Sequence, residues 1–148
     1  MSIARARLWH VLHLARILWA FTRATSWLPP VRGPIEDLRA LARVTLRGWV
    51  RVVRDGSGIA AFIVRDGSRV HALYVAADRR GQGYGGVLLA EAKGAAGALD
   101  LWVLERNADA RAFYAAQGFR EAARGQGAGN DEGLPDILMI WSEGVEVA

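Results

Sequence analysis

The chain has 148 residues, of which 52% are hydrophobic, and a formal net charge of +4. This length suits one compact domain over residues 1–148, and the absence of cysteine excludes disulfides, thiolate nucleophiles and cysteine-rich zinc sites. No apolar run approaches the roughly 18–20 residues that cross a bilayer. His10, His13 and Arg16 interrupt the apolar stretch at the start of the chain, which is untypical of a signal peptide. We therefore expect a cytoplasmic protein without a membrane partner.

The charge is unevenly distributed along the chain. Residues 1–54 carry ten arginines against two acids, residues 55–148 carry nine basic against thirteen acidic groups, and the segment from Gly125 onward has five acids and no base. A basic half is compatible with a nucleic-acid or phosphate partner. It also fits a general preference for arginine on solvated helix faces, since the chain has 18 arginines and one lysine. We favour the second interpretation and expect no nucleic-acid partner.

Hydrophobic periodicity and turn residues predict a chain that mixes helices and strands. Strands are predicted over residues 3–7, 49–54, 59–65, 70–75, 99–104 and 136–142, with a further strand beginning at Phe119. Helices are predicted over residues 8–22, 35–47, 84–96 and 108–117. The first helix is expected to be largely buried, because only a narrow polar stripe interrupts its apolar residues. Asp-Gly pairs after the second and third strands predict an antiparallel meander, and the order β-αα-βββ-α-β-α-ββ predicts one α+β domain.

The most informative stretch is residues 73–89, in which a strand leads into a loop with glycine at positions 81, 83, 85 and 86, and that loop opens a helix. Glycine lets a backbone approach a ligand closely, and the first N–H groups of a helix have no intrahelical partner. Arg79 and Arg80 add positive charge beside them. These features predict a phosphate or pyrophosphate site.

The spacing Gly81-x-Gly83-x-x-Gly86 also matches the dinucleotide-binding fingerprint, and Glu105 ends the next strand roughly where a ribose-binding acid would stand. The context argues against that interpretation. Five residues separate Val75 from Gly81, and only 68 residues remain from Gly81 onward, too few for two nucleotide-binding halves. An antiparallel meander also differs from the parallel sheet that a doubly wound fold requires.

Two segments resemble the GNAT superfamily of acyl-CoA-dependent N-acetyltransferases. Arg80-Gly81-Gln82-Gly83-Tyr84-Gly85 resembles its pyrophosphate loop, and the segment from Leu101 to Phe119 resembles its second sequence block. The order of elements is also the GNAT order, so the resemblance covers nearly the whole chain. It implies a mixed, mostly antiparallel seven-stranded sheet with helices on both faces, splayed where the cofactor enters. It further implies that an acetyl group passes from acetyl-CoA directly to a primary amine, with no metal.

The resemblance also implies roles for individual residues. The main chain of Leu73 and Val75 would pair with the pantetheine arm, and the N–H of Val75 would polarise the thioester carbonyl. Tyr114 would protonate the leaving CoA thiolate, although beside Phe113 it also fits a core aromatic. Asn107 would contact the pantetheine or its neighbouring backbone, and before a helix it is also a natural N-cap. The implied cofactor-binding residues are Leu73, Val75, Arg80, Gly81, Gln82, Gly83, Tyr84, Gly85, Asn107 and Tyr114.

His71 is the candidate general base. A side chain or a water chain must accept the proton of the attacking amine. His71 lies two and four residues before Leu73 and Val75, so all three side chains are expected on one face of the strand. Arylalkylamine-acetylating members of the superfamily carry a histidine at a similar offset, whereas others place a glutamate on this strand, where Arg69 stands here. A lone histidine also fits a structural role.

Two features are candidates for the acceptor site. Aromatic side chains of the N-terminal third would line a pocket or simply pack in the core: Trp19, Phe21, Trp27 and Trp49. The loop before the last strand would attract a cationic amine through Asp131, Glu132 or Asp136, unless it is only a solvated turn. Two alternative functions stay open: a catalytically silent CoA-binding regulatory module and a basic nucleic-acid-binding protein. With any of these functions, a homodimer could form through the apolar N-terminal helix.

Overall fold

The structure, a computed structural model, describes residues 1–144. Residues 145–148, which include Glu146 of the acidic segment, lie outside the described residues, so the domain end at residue 148 stays a prediction. The strands are β1 (Ser2–Arg5), β2 (Val50–Asp55), β3 (Gly58–Asp66), β4 (Arg69–Val75), β5 (Ala98–Leu104), β6 (Arg120–Gly125) and β7 (Asp136–Ser142). The helices are α1 (Val11–Ala24), α2 (Pro34–Leu46), α3 (Tyr84–Ala96) and α4 (Ala108–Ala116), with short 3₁₀ turns at Leu8–His10 and Ala77–Arg79. The predicted order of elements is confirmed.

The described strands form one seven-stranded sheet in the order β1-β2-β3-β4-β5-β7-β6. Neighbouring strands are antiparallel except β4 and β5, which are parallel. The two Asp-Gly turns connect β2 to β3 and β3 to β4, as predicted. β4 and β5 are in register only at Arg69 and Asp100, near the beginning of each strand, and the strands diverge beyond that pair. The mixed, mostly antiparallel sheet is therefore confirmed, together with its splay.

The sheet has helices and a buried core on each face. Ile63 of β3 packs with Leu88 of α3 in the first core, and both are fully buried. Phe62, the preceding residue of β3, packs with Leu14 of α1 in the second core, again without exposure. Successive side chains of a strand point to opposite faces, so these two neighbours anchor one helical layer each. The predicted helices on both faces are confirmed.

The prediction that the first helix is largely buried is wrong. Only Val11, Leu14 and Ala15 of α1 are buried. Trp9 in the preceding turn is 77% exposed and Leu12 is 46% exposed. One helical layer covers each face of the sheet, so α1 fully buries a single stripe of side chains. Ile17, Leu18 and Trp19 also pack against that core but stay partly exposed.

Candidate active site

A cleft of about 1080 Å³ opens where β4 and β5 diverge. One wall carries β4 and the glycine loop before α3, and the other carries the end of β5 and α4. The segment between α1 and α2 and the loop between β6 and β7 also border the cleft. It brings together most of the predicted site residues: His71, Leu73, Val75, Arg80, Gly81, Gly83, Tyr84, Gly85, Asn107 and Tyr114. Gln82 does not line it, since its exposed side-chain amide donates to the Asp78 carbonyl at 3.4 Å.

The edge of β4 that faces the cleft presents backbone groups without a strand partner among the described residues beyond Arg69. On the opposite edge, the Ala76 N–H donates to the Ala60 carbonyl next to β3 at 2.8 Å. Because successive residues of a strand direct their N–H groups to opposite edges, the N–H of Val75 points towards the cleft. A free strand edge of this kind can pair with an extended ligand.

The glycine loop gives α3 an open N-terminus. Gly81 and Gly83 have φ angles of +77° and +88°, in the left-handed region that favours glycine. Gly83 is the N-cap of α3, and no side chain caps the helix, so its first N–H groups are free to bind an anion. A Cβ at either glycine would meet nothing within 4 Å, whereas one at Gly85 would lie 3.0 Å from the Phe113 ring. Gly81 and Gly83 therefore leave space for a ligand, and Gly85 lets α3 pack closely against α4.

A cluster of three side chains holds this loop against the β2–β3 hairpin. The Arg79 guanidinium donates two hydrogen bonds to the Asp55 carboxylate, each of 3.1 Å. The Tyr84 hydroxyl donates to the same carboxylate at 2.8 Å. These donors, Arg79 first, lower the pKa of Asp55 to about 2, so the cluster stays ionised at neutral pH.

The cluster changes two expectations: that Arg79 adds positive charge beside the loop, and that Tyr84 binds the cofactor. Arg79 adds no free positive charge beside the loop, because Asp55 and Asp78 both pair with it. Arg80 is exposed and lines the cleft, so it can supply that charge. The ring of Tyr84 points into the core, which leaves its main chain for a ligand.

Tyr114 lies on α4 with only 8% of its surface exposed, and it lines the cleft. Its ring packs against Phe113 and Phe119, with centroids 5.2 and 5.5 Å away. Burial raises the pKa of Tyr114, so the phenol remains protonated and can act as an acid. Asn107 caps the same helix, since its Oδ1 accepts from the Ala110 N–H at 3.2 Å. The N-cap role of Asn107 is therefore present, and the residue lines the cleft as well.

The expectation that His71 shares one face of β4 with Leu73 and Val75 is wrong. Between β3 and β4, Val64 pairs with Ala72 and Arg65 pairs with Val70, so His71 has no residue opposite it. This β-bulge changes the alternation of side chains. Leu73 and Val75 pack against the core beneath α3, whereas the His71 ring stacks on Trp49 at 5.5 Å. His71 lines the cleft from the bulge.

The predicted acceptor residues divide into two groups. Phe21, Trp27, Glu132 and Asp136 line the cleft. The other three do not: Asp131 is exposed, Trp19 donates its indole N–H to Asp37 at 2.9 Å, and Trp49 packs against the core beneath α1 and α2. The cleft also contains Tyr74 and Trp102, which the sequence analysis missed. No local signal in the sequence marks these two residues, because their places in the cleft depend on where β4 and β5 diverge.

Residues 1–144 contain neither a candidate metal site nor a candidate membrane span. No group of three or more His, Cys, Asp or Glu side chains in that part of the chain could hold a metal ion. No helix among those residues is long and apolar enough to cross a membrane.

The family described as the acetyltransferase (GNAT) domain matches residues 46–121, which contain both walls of the cleft. A comparison with curated proteins finds no match. Among solved structures, the apo form of YjaB from Escherichia coli is 25% identical, covers 94% of this chain and 95% of its own, and has a TM-score of 0.79. A ribosomal-protein-alanine N-acetyltransferase from Brucella melitensis is 20% identical. The match covers 96% of this chain and 99% of that protein, with a TM-score of 0.75. The putative acetyltransferase yncA from Salmonella typhimurium was solved with its cofactor acetyl-CoA and is 18% identical. The match covers 100% of this chain and 96% of that protein, with a TM-score of 0.74.

Proposed function

The chain belongs to the GNAT acetyltransferase family and is an acyltransferase, and on that premise we propose that it transfers the acetyl group of acetyl-CoA directly to a primary amine. The observation that most supports this function is the cleft itself, which joins a free strand edge to an uncapped helix N-terminus. In the reaction a C–N bond forms and the thioester C–S bond breaks. The amine loses a proton and the CoA thiolate gains one. The absence of cysteine supports direct transfer over an acyl-cysteine intermediate.

In this proposal the donor lies along β4 with its pyrophosphate at the start of α3. The backbone N–H groups of the glycine loop, including those of Gln82, Gly83 and Gly85, hold the phosphates together with Arg80 and Gly81. The main chain of Leu73 and Val75 pairs with the pantetheine arm. The N–H of Val75 also donates to the thioester oxygen as negative charge develops there, and such a donor is worth roughly 2.7–4 kcal/mol when its geometry is right.

Two side chains move protons in this mechanism. Tyr114 gives its proton to the departing thiolate, since burial keeps the phenol protonated. His71 accepts the amine proton, directly or through water, from its position at the β4 bulge. Asn107 contacts the pantetheine while it caps α4.

Two measurements test the function together. A thermal shift with acetyl-CoA, CoA and NADH in parallel should show stabilisation by both CoA species and none by NADH, because a ligand at a hundred times its Kd adds about 2.7 kcal/mol. Thiol release with a panel of primary amines should then depend on the amine. Acetyl-CoA binding without release with any amine would instead identify a catalytically silent CoA-binding module. Failure to bind either CoA species would contradict the donor site.

Replacing Asp55 with asparagine is expected to raise the KM for acetyl-CoA about tenfold. The change removes the charged anchor on the β2–β3 hairpin for Arg79 and Tyr84, leaves Arg79 paired only with its neighbour Asp78, and so loosens the glycine loop. The KM for S-acetylpantetheine, which lacks the pyrophosphate, should not change. Asp66→Asn is the matched control, since Asp66 begins the equivalent Asp-Gly turn between β3 and β4. An equal rise in KM for acetyl-CoA and for S-acetylpantetheine would show that Asp55 serves only the fold.

A further inference from the structure

The acceptor end of the cleft has its own side-chain chemistry. The donor site proposed above uses the glycine loop, β4 and Tyr114. The remaining border consists of the end of α1 and the segment after it, the loop between β6 and β7 with the first residue of β7, and side chains of β4 and β5. Four aromatic residues and two carboxylates line this part of the cleft: Phe21, Trp27, Tyr74, Trp102, Glu132 and Asp136.

Asp136 is a buried carboxylate at the beginning of β7. It is 7% exposed and accepts a hydrogen bond from the Asn130 side-chain amide at 3.1 Å. Asn130 also donates to the Leu134 carbonyl at 2.8 Å, which fixes the loop around the carboxylate. No Lys, Arg or His among residues 1–144 forms an ion pair with Asp136. Burial of an anion without a cation is costly, so a cationic ligand in the cleft would be stabilised here.

Glu132 adds a second negative charge on the same side. It is partly buried and lines the cleft, and it too lacks an ion pair within the described part of the chain. Burial raises the pKa of Tyr74, and the negative charge of Glu132 raises it further. An ammonium group at this end would therefore meet two carboxylates.

Aromatic rings surround the carboxylates. A Cβ at Gly125 would collide with the carboxylate of Asp136 and would lie 3.4 Å from the ring of Trp102, so these two groups are neighbours. Trp102 is 44% exposed, although it is a large apolar side chain at the centre of β5. The rings of Phe21 and Tyr74 lie 5.4 Å apart on the opposite side. An exposed indole beside a buried carboxylate suits an aromatic ligand that carries a cation.

Arg106 is the lining cation at this end. Arg32, whose charge lowers the pKa of Tyr74, is outside the lining and pairs with Asp37 at 3.5 Å. The Arg106 guanidinium lies 5.5 Å from the centroid of the Trp27 ring, where the segment between α1 and α2 meets the segment between β5 and α4. The other two arginines of the lining, Arg79 and Arg80, belong to the glycine loop on the donor side. Arg106 forms no ion pair with Glu132 or Asp136 among the described residues.

We propose that the acceptor is a primary amine carried on an aromatic body, with its ammonium against Asp136 and Glu132 and its ring against Trp102. This inference rests on the proposed acetyl transfer and names the substrate class for it. Before transfer the ammonium loses one proton to the base, which passes it to solvent, and the neutral nitrogen attacks the thioester carbon. As the C–S bond breaks, the nitrogen loses a second proton and the CoA thiolate gains one from Tyr114. A peptide N-terminus is the main competing acceptor, since it would place backbone amides where the aromatic rings lie.

Thiol release and calorimetry with three amine probes test the proposal: 2-phenylethylamine, 2-cyclohexylethylamine and an alanine-terminated peptide. We expect kcat/KM for the phenyl compound to exceed that for its saturated analogue by about three- to tenfold. 2-Phenylethylamine should also bind the CoA-loaded protein, as seen by calorimetry without turnover. Equal rates for the two ring compounds, or a preference for the peptide, would overturn the proposal while acetyl transfer stands.

Two variants with matched controls test the individual contacts. Asp136→Asn should raise the KM for 2-phenylethylamine about tenfold or more with unchanged acetyl-CoA affinity, and Trp102→Leu should abolish the preference for the phenyl ring. Glu105→Gln and Trp9→Leu are the controls, because both side chains lie outside the cleft lining. Unchanged amine kinetics in both test variants would overturn the proposal. If the protein without substitutions does not bind acetyl-CoA, the proposed function and this inference are both overturned.

Discussion

Replacing Tyr114 with phenylalanine is expected to lower kcat by about 10²–10⁴-fold, the usual contribution of a positioned general acid. Phenylalanine keeps the ring contacts with Phe113 and Phe119, so the fold should be retained. The affinity for acetyl-CoA, measured by calorimetry, should stay nearly the same. Because burial raises the pKa of Tyr114, the wild-type rate should not fall on the alkaline side until the pH exceeds the ordinary phenol pKa of about 10.

Phe119→Leu serves as the control for this variant. It disturbs the packing around the Tyr114 ring without removing the phenol. If packing alone explains Tyr114, then Phe119→Leu should reduce kcat as much as Tyr114→Phe does. A kcat that is unchanged in Tyr114→Phe would assign Tyr114 to the core and would contradict its role as the acid.

Replacing Gly83 with valine is expected to weaken acetyl-CoA binding by about 10–100-fold. The φ of Gly83 is +88°, and a β-branched residue in that region is strained by about 1–3 kcal/mol. A Cβ at this position meets nothing within 4 Å, so the added methyl groups would stand in the space that the pyrophosphate needs. Calorimetric titration with CoA measures the loss directly.

Gly94→Ala is the matched control within the same helix. Gly94 has an ordinary helical φ, and a Cβ there also meets nothing within 4 Å. Alanine should therefore stabilise α3 by roughly 0.5–1 kcal/mol without changing CoA affinity. Unaltered CoA binding in Gly83→Val would show that the pyrophosphate does not lie at the start of α3.

Local sequence signals predicted the elements that position the donor site. Helix α3 spans Tyr84–Ala96 and β7 spans Asp136–Ser142, as predicted, because glycines and a proline-bounded loop mark where they begin. The Asp-Gly turns likewise determined the β2–β3–β4 meander. These signals lie within a few residues of the structure that they determine.

What the sequence could not predict depends on contacts between distant segments. The bulge at His71 arises from how β3 and β4 pair, and nothing in the local alternation marks it. Asp55 neutralises Arg79 from 24 residues away along the chain. The places of Tyr74 and Trp102 in the cleft follow from the divergence of β4 and β5, which no single strand encodes.

Several expectations stay predictions. They include the cytoplasmic location, the homodimer and the absence of membrane and nucleic-acid partners. The individual roles of the site residues also await the variants described above. The exposed Trp9 and Leu12 are compatible with a dimer, which sedimentation would detect.

The most direct test of acetyl transfer measures CoA and the N-acetyl product in the same reaction. The wild-type protein and acetyl-CoA are mixed with 2-phenylethylamine and, in separate reactions, with each of a series of other primary amines. If the protein transfers the acetyl group to the amine, CoA and N-acetylated amine form in equal amounts, and only when protein and amine are both present. CoA released without an acetylated amine, or no release with any amine in the series, would contradict the proposed transfer.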